Sequence, residues 1–379
     1  MPVQSPADSL RQLAAAGLLR TPRPLESAAG TRVVREGREL WNFASNDYLG
    51  LARHPEIEAA LVEGVQRFGA GSAASRLVAG TLPPHVLLEN ALAEAKQAEA
   101  ALTFSSGFAA ALGVVPAIVG KSDFVFLDKL SHACLVDGAH LSGATLRVFP
   151  HNDLRKLRAL LESTRAKAPT ARILVATESV FSMDGDVCPL REILELTESY
   201  AALLLLDEAH GFGVLGEHGM GLAEQEGLQG RVTFQMGTLS KAAGLSGAYL
   251  AASRDWIDWL MNRARSFIYS TAPPPALAHA GLASLVLIRS GAGRDLRARL
   301  QENIARLAPS QTPIIPLQLG TNEAALAASA ALEQAGFMVP AIRYPTVPRG
   351  TARLRISVSA THPVQAIDEL GELCARIRA

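Results

Sequence analysis

The sequence predicts an α/β protein, with a large domain built on a mainly parallel sheet flanked by helices and a smaller C-terminal α/β domain. Three observations predict it. Short apolar runs alternate with longer helix-like stretches through the middle of the chain. Several of these runs lack the polar alternation of a half-exposed strand, as strands covered on both faces do. A length of 379 residues is also too great for one small core.

In chain order, MPVQSPADSLRQLAAAGLLR (1–20) reads as a short amphipathic helix. Strands are expected at ALTF (101–104), DFVFLD (123–128), TLRVF (145–149), RILVATES (172–179), ALLLLDEAH (202–210), VTFQMGT (232–238) and GAYLAAS (247–253). Helical patterns lie between them at 87–97, 152–164 and 189–201, the last with Pro189 in its first turn. The pattern breaks at Thr271-Ala272-Pro273-Pro274-Pro275, and a long helix follows over 276–289. The remainder reads as strand 314–320, helix 323–336, strands 337–343 and 352–359, and a C-terminal helix. The division expected is an N-terminal segment (1–44) packed with the small domain, a large domain (45–275) and a small domain (276–379).

Composition excludes several classes. Thirty-six basic residues balance 36 acidic ones, so a nucleic-acid partner is not expected. An apolar fraction of 49% is ample for a core, which removes a disordered chain. No stretch of about 18 uninterrupted apolar residues occurs, and the N-terminus lacks a signal-peptide pattern, so no membrane partner is expected. Cys134, Cys188 and Cys374 are widely spaced and form neither a disulfide framework nor a CxxC metal site. A reducing, cytoplasmic location and no metal are the expectation.

Four segments carry chemistry. Asp207-Glu208-Ala209-His210 follows an apolar run, where open α/β sheets place their ligands; alone, that Asp could equally be a helix cap or a metal ligand. Lys241, in Gly237-Thr238-Leu239-Ser240-Lys241, sits among small residues and is either a desolvated amine nucleophile or a surface lysine. Ser105-Ser106-Gly107-Phe108 opens a small-residue helix (109–119), which makes it an anion cradle or a plain turn. His132 follows strand 123–128 and either stacks on a cofactor ring or neighbours a helix cap. The pairing of a strand-end Asp with Lys241 suits pyridoxal 5'-phosphate, the lysine forming the Schiff base and the acid pairing with the pyridinium nitrogen.

These segments together resemble the α-oxoamine synthase family, pyridoxal phosphate enzymes of the type I (aspartate aminotransferase) fold. The resemblance runs through FASNDYLGL (43–51), GAGSAASRLVAGT (69–81), FSSGFAA (104–110), DKLSHACLVDGAHLSGA (128–144), ESVFSMDGD (178–186), LLLDEAHGFGVLGEHG (204–219), GTLSKAAGLSGAYL (237–250), FIYSTAPPP (267–275) and IRYPTVPRGTARLRIS (342–357). It implies that Lys241 holds the cofactor and removes the amino acid's α-proton, and that Asp207 keeps the ring nitrogen protonated. His210 would hydrogen-bond the phenolic oxygen, with Ser182 on the same side, and His132 would stack on the ring. Ser106, Gly107, Phe108 and Thr238 would surround the phosphate and ring edge. Arg355 would clamp the substrate carboxylate, with Arg353 in reserve; strand alternation is expected to send one of these two arginines inward and the other to solvent. Arg20 and Thr351 match positions that meet the acyl substrate.

The family also implies a homodimer with shared active sites, to which Asn46, loop 69–81 and Ser270-Thr271 would contribute across the interface. Two departures, Ala111 where Asn is usual and Phe212 where a smaller residue is usual, are expected near the cofactor. The compact length, VFPHNDLRKL (148–157) and AIRYPTVPRGTARLR (341–355) are most similar to the branch serving biotin synthesis. That branch condenses L-alanine with pimeloyl-CoA or a pimeloyl-acyl carrier protein. Branches using glycine or serine with other acyl thioesters share most of the motifs. A catalytically silent interaction subunit is disfavoured by the retention of Lys241, Asp207, His210 and His132 together, and an NAD enzyme by the lack of GxGxxG.

Overall fold

The computed structural model describes residues 5–378; Met1–Gln4, where the expected N-terminal helix would begin, and Ala379 lie outside the described residues. That helix is formed over Pro6–Ala15, with the Ser5 side chain accepting the Asp8 N–H as its cap. A hairpin follows, β1 (Arg32–Arg35) and β2 (Arg38–Asn42).

The central sheet has seven strands: β3 (Ala100–Phe104), β4 (Phe124–Asp128), β5 (Thr145–Phe149), β6 (Ile173–Glu178), β7 (Leu203–Asp207), β8 (Phe234–Thr238) and β9 (Ala248–Ala252). Their spatial order is β3-β9-β8-β7-β6-β4-β5, and only β9 runs against its neighbours. All seven lie within the runs expected from sequence or extend them by one residue. Leu204, Leu205 and Leu206 are wholly buried, which is why β7 reads as an unbroken apolar run. The chain leaves β4 for β5 on one side and continues from β6 to β7 on the other. The carboxyl ends of β4 and β6 therefore flank the point where the connections reverse, the place where such sheets open a crevice.

Three local expectations shift. Pro189 stands just ahead of helix Leu190–Ser199 rather than in its first turn. The helix expected over 109–119 starts at Gly107, because Ser106 caps it by accepting the Ala109 N–H. The single strand expected over 337–343 is two pieces. β11 (Phe337–Met338) joins β2 in parallel, while β12 (Ala341–Ile342) joins β13 (Ala352–Ser357) in an antiparallel sheet with β10 (Ile314–Gly320). Pro340 sits at the break, where its missing N–H cannot continue a ladder. The split ties the N-terminal hairpin to the C-terminal region, and Ser357 adds an N–H donated to the Phe43 carbonyl at 2.8 Å.

Helix Pro275–Arg289 packs against Pro55–Phe68 and Pro83–Ala95. Its approach is close enough that a Cβ on Gly64 would lie 2.8 Å from the Ala276 Cα. We propose the division into domains with this helix lying on the large-sheet side, the small domain's own sheet beginning at β10.

Candidate active site

β7 ends in Asp207 and its parallel neighbour β6 ends in Glu178, directly opposite in register. β8 ends in Thr238, and the turn after it presents Lys241. These strand ends surround a cavity of about 240 Å³ into which Lys241, Asp207, Glu178, His132 and His210 all face. Ser106, Gly107 and Phe108 close one side of it from the start of helix Gly107–Ile118, and Thr238 and Ser240 close another.

The electrostatics follow from burial. Desolvation pushes the Lys241 amine down to about 8, against the attraction of Asp207 and Glu178. Burial lifts the Asp207 carboxyl above its usual range, an effect opposed chiefly by Lys241. Glu178 is pushed up to about 8 by burial and then by the neighbouring Asp207 charge. His210 and His132 are both held below the ordinary imidazole value, in each case mainly by desolvation.

A hydrogen-bonded chain leads away from the amine. Lys241 Nζ lies 2.7 Å from His210 Nε2, and His210 Nδ1 lies 2.7 Å from the Tyr48 hydroxyl. An ammonium can only donate, so it fixes Nε2 as the acceptor and leaves Nδ1–H to donate to Tyr48. Tyr48 donates to Asn46 Oδ1 at 3.0 Å, which also accepts from Arg355 Nη1 at 3.1 Å. On the opposite wall, His132 Nδ1 accepts the Cys134 N–H at 3.3 Å and lies 3.0 Å from the Cys134 thiol. Nδ1 is therefore unprotonated, and the neutral ring carries its proton on Nε2. Glu178 Oε1 accepts the His132 backbone N–H at 2.5 Å, a bond that crosses the switch point between β6 and β4.

The residues present fit pyridoxal 5'-phosphate. Asp207 Oδ1 accepts the Ala209 N–H at 2.9 Å, while its other oxygen has no protein donor among the described residues. A ring N–H supplies what that oxygen lacks. The backbone N–H groups of Gly107 and Phe108, at the positive end of a helix, have no protein acceptor either. A Cβ built on Gly107 meets nothing within 4 Å, which leaves room there for a phosphate.

The remaining expectations divide. Arg353 and Arg355 are both buried on one face of β13. The expected separation fails because residues two apart along a strand point the same way. Arg353 is spent on an ion pair with Asp184. Arg355 donates to the Ser182 carbonyl at 2.5 Å and the Ser357 hydroxyl at 2.7 Å, leaving Nη2 without a protein partner among the described residues. Ser182 and Asn46 hold Arg355 and do not line the Lys241 cavity.

Thr351 lines a second cavity of about 390 Å³, with Phe181, Met183 and Val347, and Arg20 reaches its rim through Thr346 at 3.2 Å. Loop 69–81 and the segment at 270–272 bond to each other through the Ser75–Thr271 bridge. Ala111 and Phe212 do not line the cofactor cavity. Ala111 is wholly buried in helix Gly107–Ile118, and Phe212 packs edge-on against Tyr249. Sequence reasoning passed over Glu178, Cys134 and Tyr48. Glu178 carried a readable signal, an acid ending one strand beside an acid ending the next.

Comparison with known proteins agrees with this geometry. The signature of the class I and II aminotransferases matches residues 38–377. The chain is 46% identical to the 8-amino-7-oxononanoate synthase of Geobacter sulfurreducens over 99% of its own length and 98% of that protein. Its fold superposes with a TM-score of 0.91 on serine palmitoyltransferase from S. paucimobilis, solved with a bound PLP–myriocin aldimine, at 27% identity over 98% of this chain and 96% of that one. The 8-amino-7-oxononanoate synthase of Francisella tularensis superposes at 0.76, with 28% identity over 89% of this chain and 97% of that one. The chain belongs to the class I and II aminotransferase family, and within it to the 8-amino-7-oxononanoate synthases.

Proposed function

We propose that this chain is the pyridoxal phosphate-dependent acyltransferase that condenses L-alanine with a pimeloyl thioester, releasing 8-amino-7-oxononanoate, carbon dioxide and the free thiol for biotin synthesis. One observation carries the reading. A desolvated lysine amine and a buried strand-end carboxylate face the same small cavity, beside a helix N-terminus with free N–H groups.

Pyridoxal 5'-phosphate, when bound, supplies an aldehyde for an amine and a ring that takes up the electron pair of a bond broken at the amino acid Cα. Gly107 and Phe108 N–H, with the Ser106 and Ser240 hydroxyls, would hold its phosphate, while the Thr238 hydroxyl, which donates to the Gly247 carbonyl at 2.8 Å and lies 2.7 Å from the Ser240 hydroxyl, would set Ser240 beside it. The Asp207 carboxylate would hold a proton on the ring nitrogen. His132, its ring held by Cys134 and its backbone by Glu178, would cover the ring. The free edge of Arg355 would take the substrate carboxylate side-on and so fix the orientation of the amino acid's Cα. Lys241 Nζ takes the Cα proton, a task that its lowered pKa suits near neutral pH. The acyl chain extends into the cavity of about 390 Å³ beside Thr351 and Arg20.

We further propose a homodimer. Loop 69–81, which is bonded to segment 270–272, exposes Leu77 and Val78, and Tyr269 stands bare beside them. Three buried free thiols fit a cytoplasmic location. No single helix among the described residues is long and apolar enough to cross a membrane. The test is release of free CoA from pimeloyl-CoA. Release that depends on L-alanine and fails with glycine or serine supports the reading. Equal or greater release with glycine and acetyl-CoA, or with serine and a long acyl-CoA, moves the chain to another branch.

A further inference from the structure

We infer that Tyr48 is a positioning residue that sets which nitrogen of His210 carries the proton, its hydroxyl turning between Asn46 and His210. The inference rests on the cofactor reading above and extends it to a residue that touches neither cofactor nor substrate. Tyr48 is wholly buried, and its hydroxyl lies 2.7 Å from His210 Nδ1 and 3.0 Å from Asn46 Oδ1. A hydroxyl has one proton and can donate to only one of them at a time. Its backbone cannot drift, since Tyr48 N–H donates to the Asn46 carbonyl at 2.9 Å and its own carbonyl accepts the Ala360 N–H at 2.8 Å.

Two arrangements satisfy every atom. With Lys241 a free ammonium, His210 Nε2 accepts from it at 2.7 Å, Nδ1–H donates to Tyr48, and Tyr48 donates to Asn46. The resemblance puts an anionic phenolic oxygen beside His210 once the site is loaded, and only an Nε2–H can donate to it. Nδ1 then needs a donor, which the Tyr48 O–H provides by turning away from Asn46. The protons balance: of the three on the Lys241 ammonium, two leave with the aldehyde oxygen as water and the third is the one shared with the phenolic oxygen, while His210 gives its Nδ1 proton to water and takes one from water on Nε2, so the imidazole stays neutral. Asn46 Oδ1 keeps the Arg355 N–H at 3.1 Å, so no buried oxygen is orphaned. The charged groups that face His210 are Lys241 and Arg355, both of which oppose a doubly protonated ring, with the titratable but neutral His132 beyond them and Asp207 across the cavity. Switching the tautomer avoids that charge.

The experiment is nitrogen NMR of the ¹⁵N-histidine-labelled full chain, with the His210 signals identified by their loss in His210→Asn, before and after loading with pyridoxal 5'-phosphate. The expected result is Nδ1–H in the cofactor-free protein and Nε2–H in the loaded one. The same tautomer in both states overturns the inference, whether or not any variant folds. In Tyr48→Phe, the weakened donor leaves the proton shared between Lys241 Nζ and the phenolic oxygen more tightly held. The pH midpoint of the loaded protein's visible band should then rise by about half a unit or more, roughly threefold in proton affinity. A Tyr48→Phe protein that melts lower but keeps the wild-type midpoint shows a purely structural tyrosine and overturns the proposal. If the wild-type protein gains no visible band on adding the cofactor, the functional reading itself falls and this inference falls with it.

Discussion

Lys96 and Lys241 are both buried lysines, and desolvation holds both amines below the ordinary lysine range. Lys96 is completely enclosed behind the sheet and donates to the Met220 carbonyl at 2.6 Å. Its charge is answered by Glu208, which itself accepts the Leu222 and Ala223 N–H groups at 3.0 and 2.9 Å. Lys241 instead opens on a cavity, with His210 on one side and the Asp207 carboxylate across from it. A depressed lysine pKa by itself therefore marks burial. Reactivity requires an open space in front of the amine and groups that complete a reaction in it.

That contrast can be broken at several points. The largest effect is expected from Lys241→Ala, which should abolish CoA release with L-alanine and the protein's covalent cofactor band while leaving the fold intact; normal turnover would refute the assignment. Arg355→Lys should raise KM for L-alanine at least about tenfold, because a point charge replaces a planar pair of donors. A steady-state titration of alanine reads this directly, and an unchanged KM would move the carboxylate elsewhere. The pH dependence of cofactor incorporation sharpens the comparison further. Only the neutral amine attacks an aldehyde, so the rate should climb with rising pH and level off above a midpoint near 8. A rate still climbing at pH 10 would mean that Lys241 is solvated like an ordinary lysine. The smallest chemical effect belongs to Lys96→Met. Spectrum and kcat should be unchanged, while urea unfolding should show a loss of about 1–3 kcal/mol as the Met220 carbonyl and Glu208 lose their partner. A loss of the visible band in Lys96→Met would erase the distinction between the two lysines.

Much of this was legible in the sequence, and the pattern of what was missed is physical. The seven central strands stand out because each is a short apolar run whose burial on both faces removes polar alternation. Asp207, Lys241, His132 and Ser106 stand out because each directly follows such a run, and strand ends are where the sheet opens. Residues placed by long-range contacts left no such mark. Tyr48 is separated from His210 by 162 positions and Asn46 from Arg355 by 309, and no local spacing foretells either pairing. Lys96 carried no signal, because a lysine at a helix end reads as solvent-facing until the packing behind it is known. The reading of Arg353 and Arg355 failed differently, by applying a period of two to residues that share a face. The strand over 337–343 failed because Pro340 turns one apolar run into edges of two different sheets.

The most direct test of the central claim is to load the full chain with pyridoxal 5'-phosphate, reduce it with borohydride and locate the added mass by peptide mapping. The expected result is one modification per chain, on the peptide containing Lys241, lost in Asp207→Ala under limiting cofactor as the ring's anchor disappears. Stoichiometric labelling of Lys96 or of a surface lysine, with the Lys241 peptide unmodified, would contradict it.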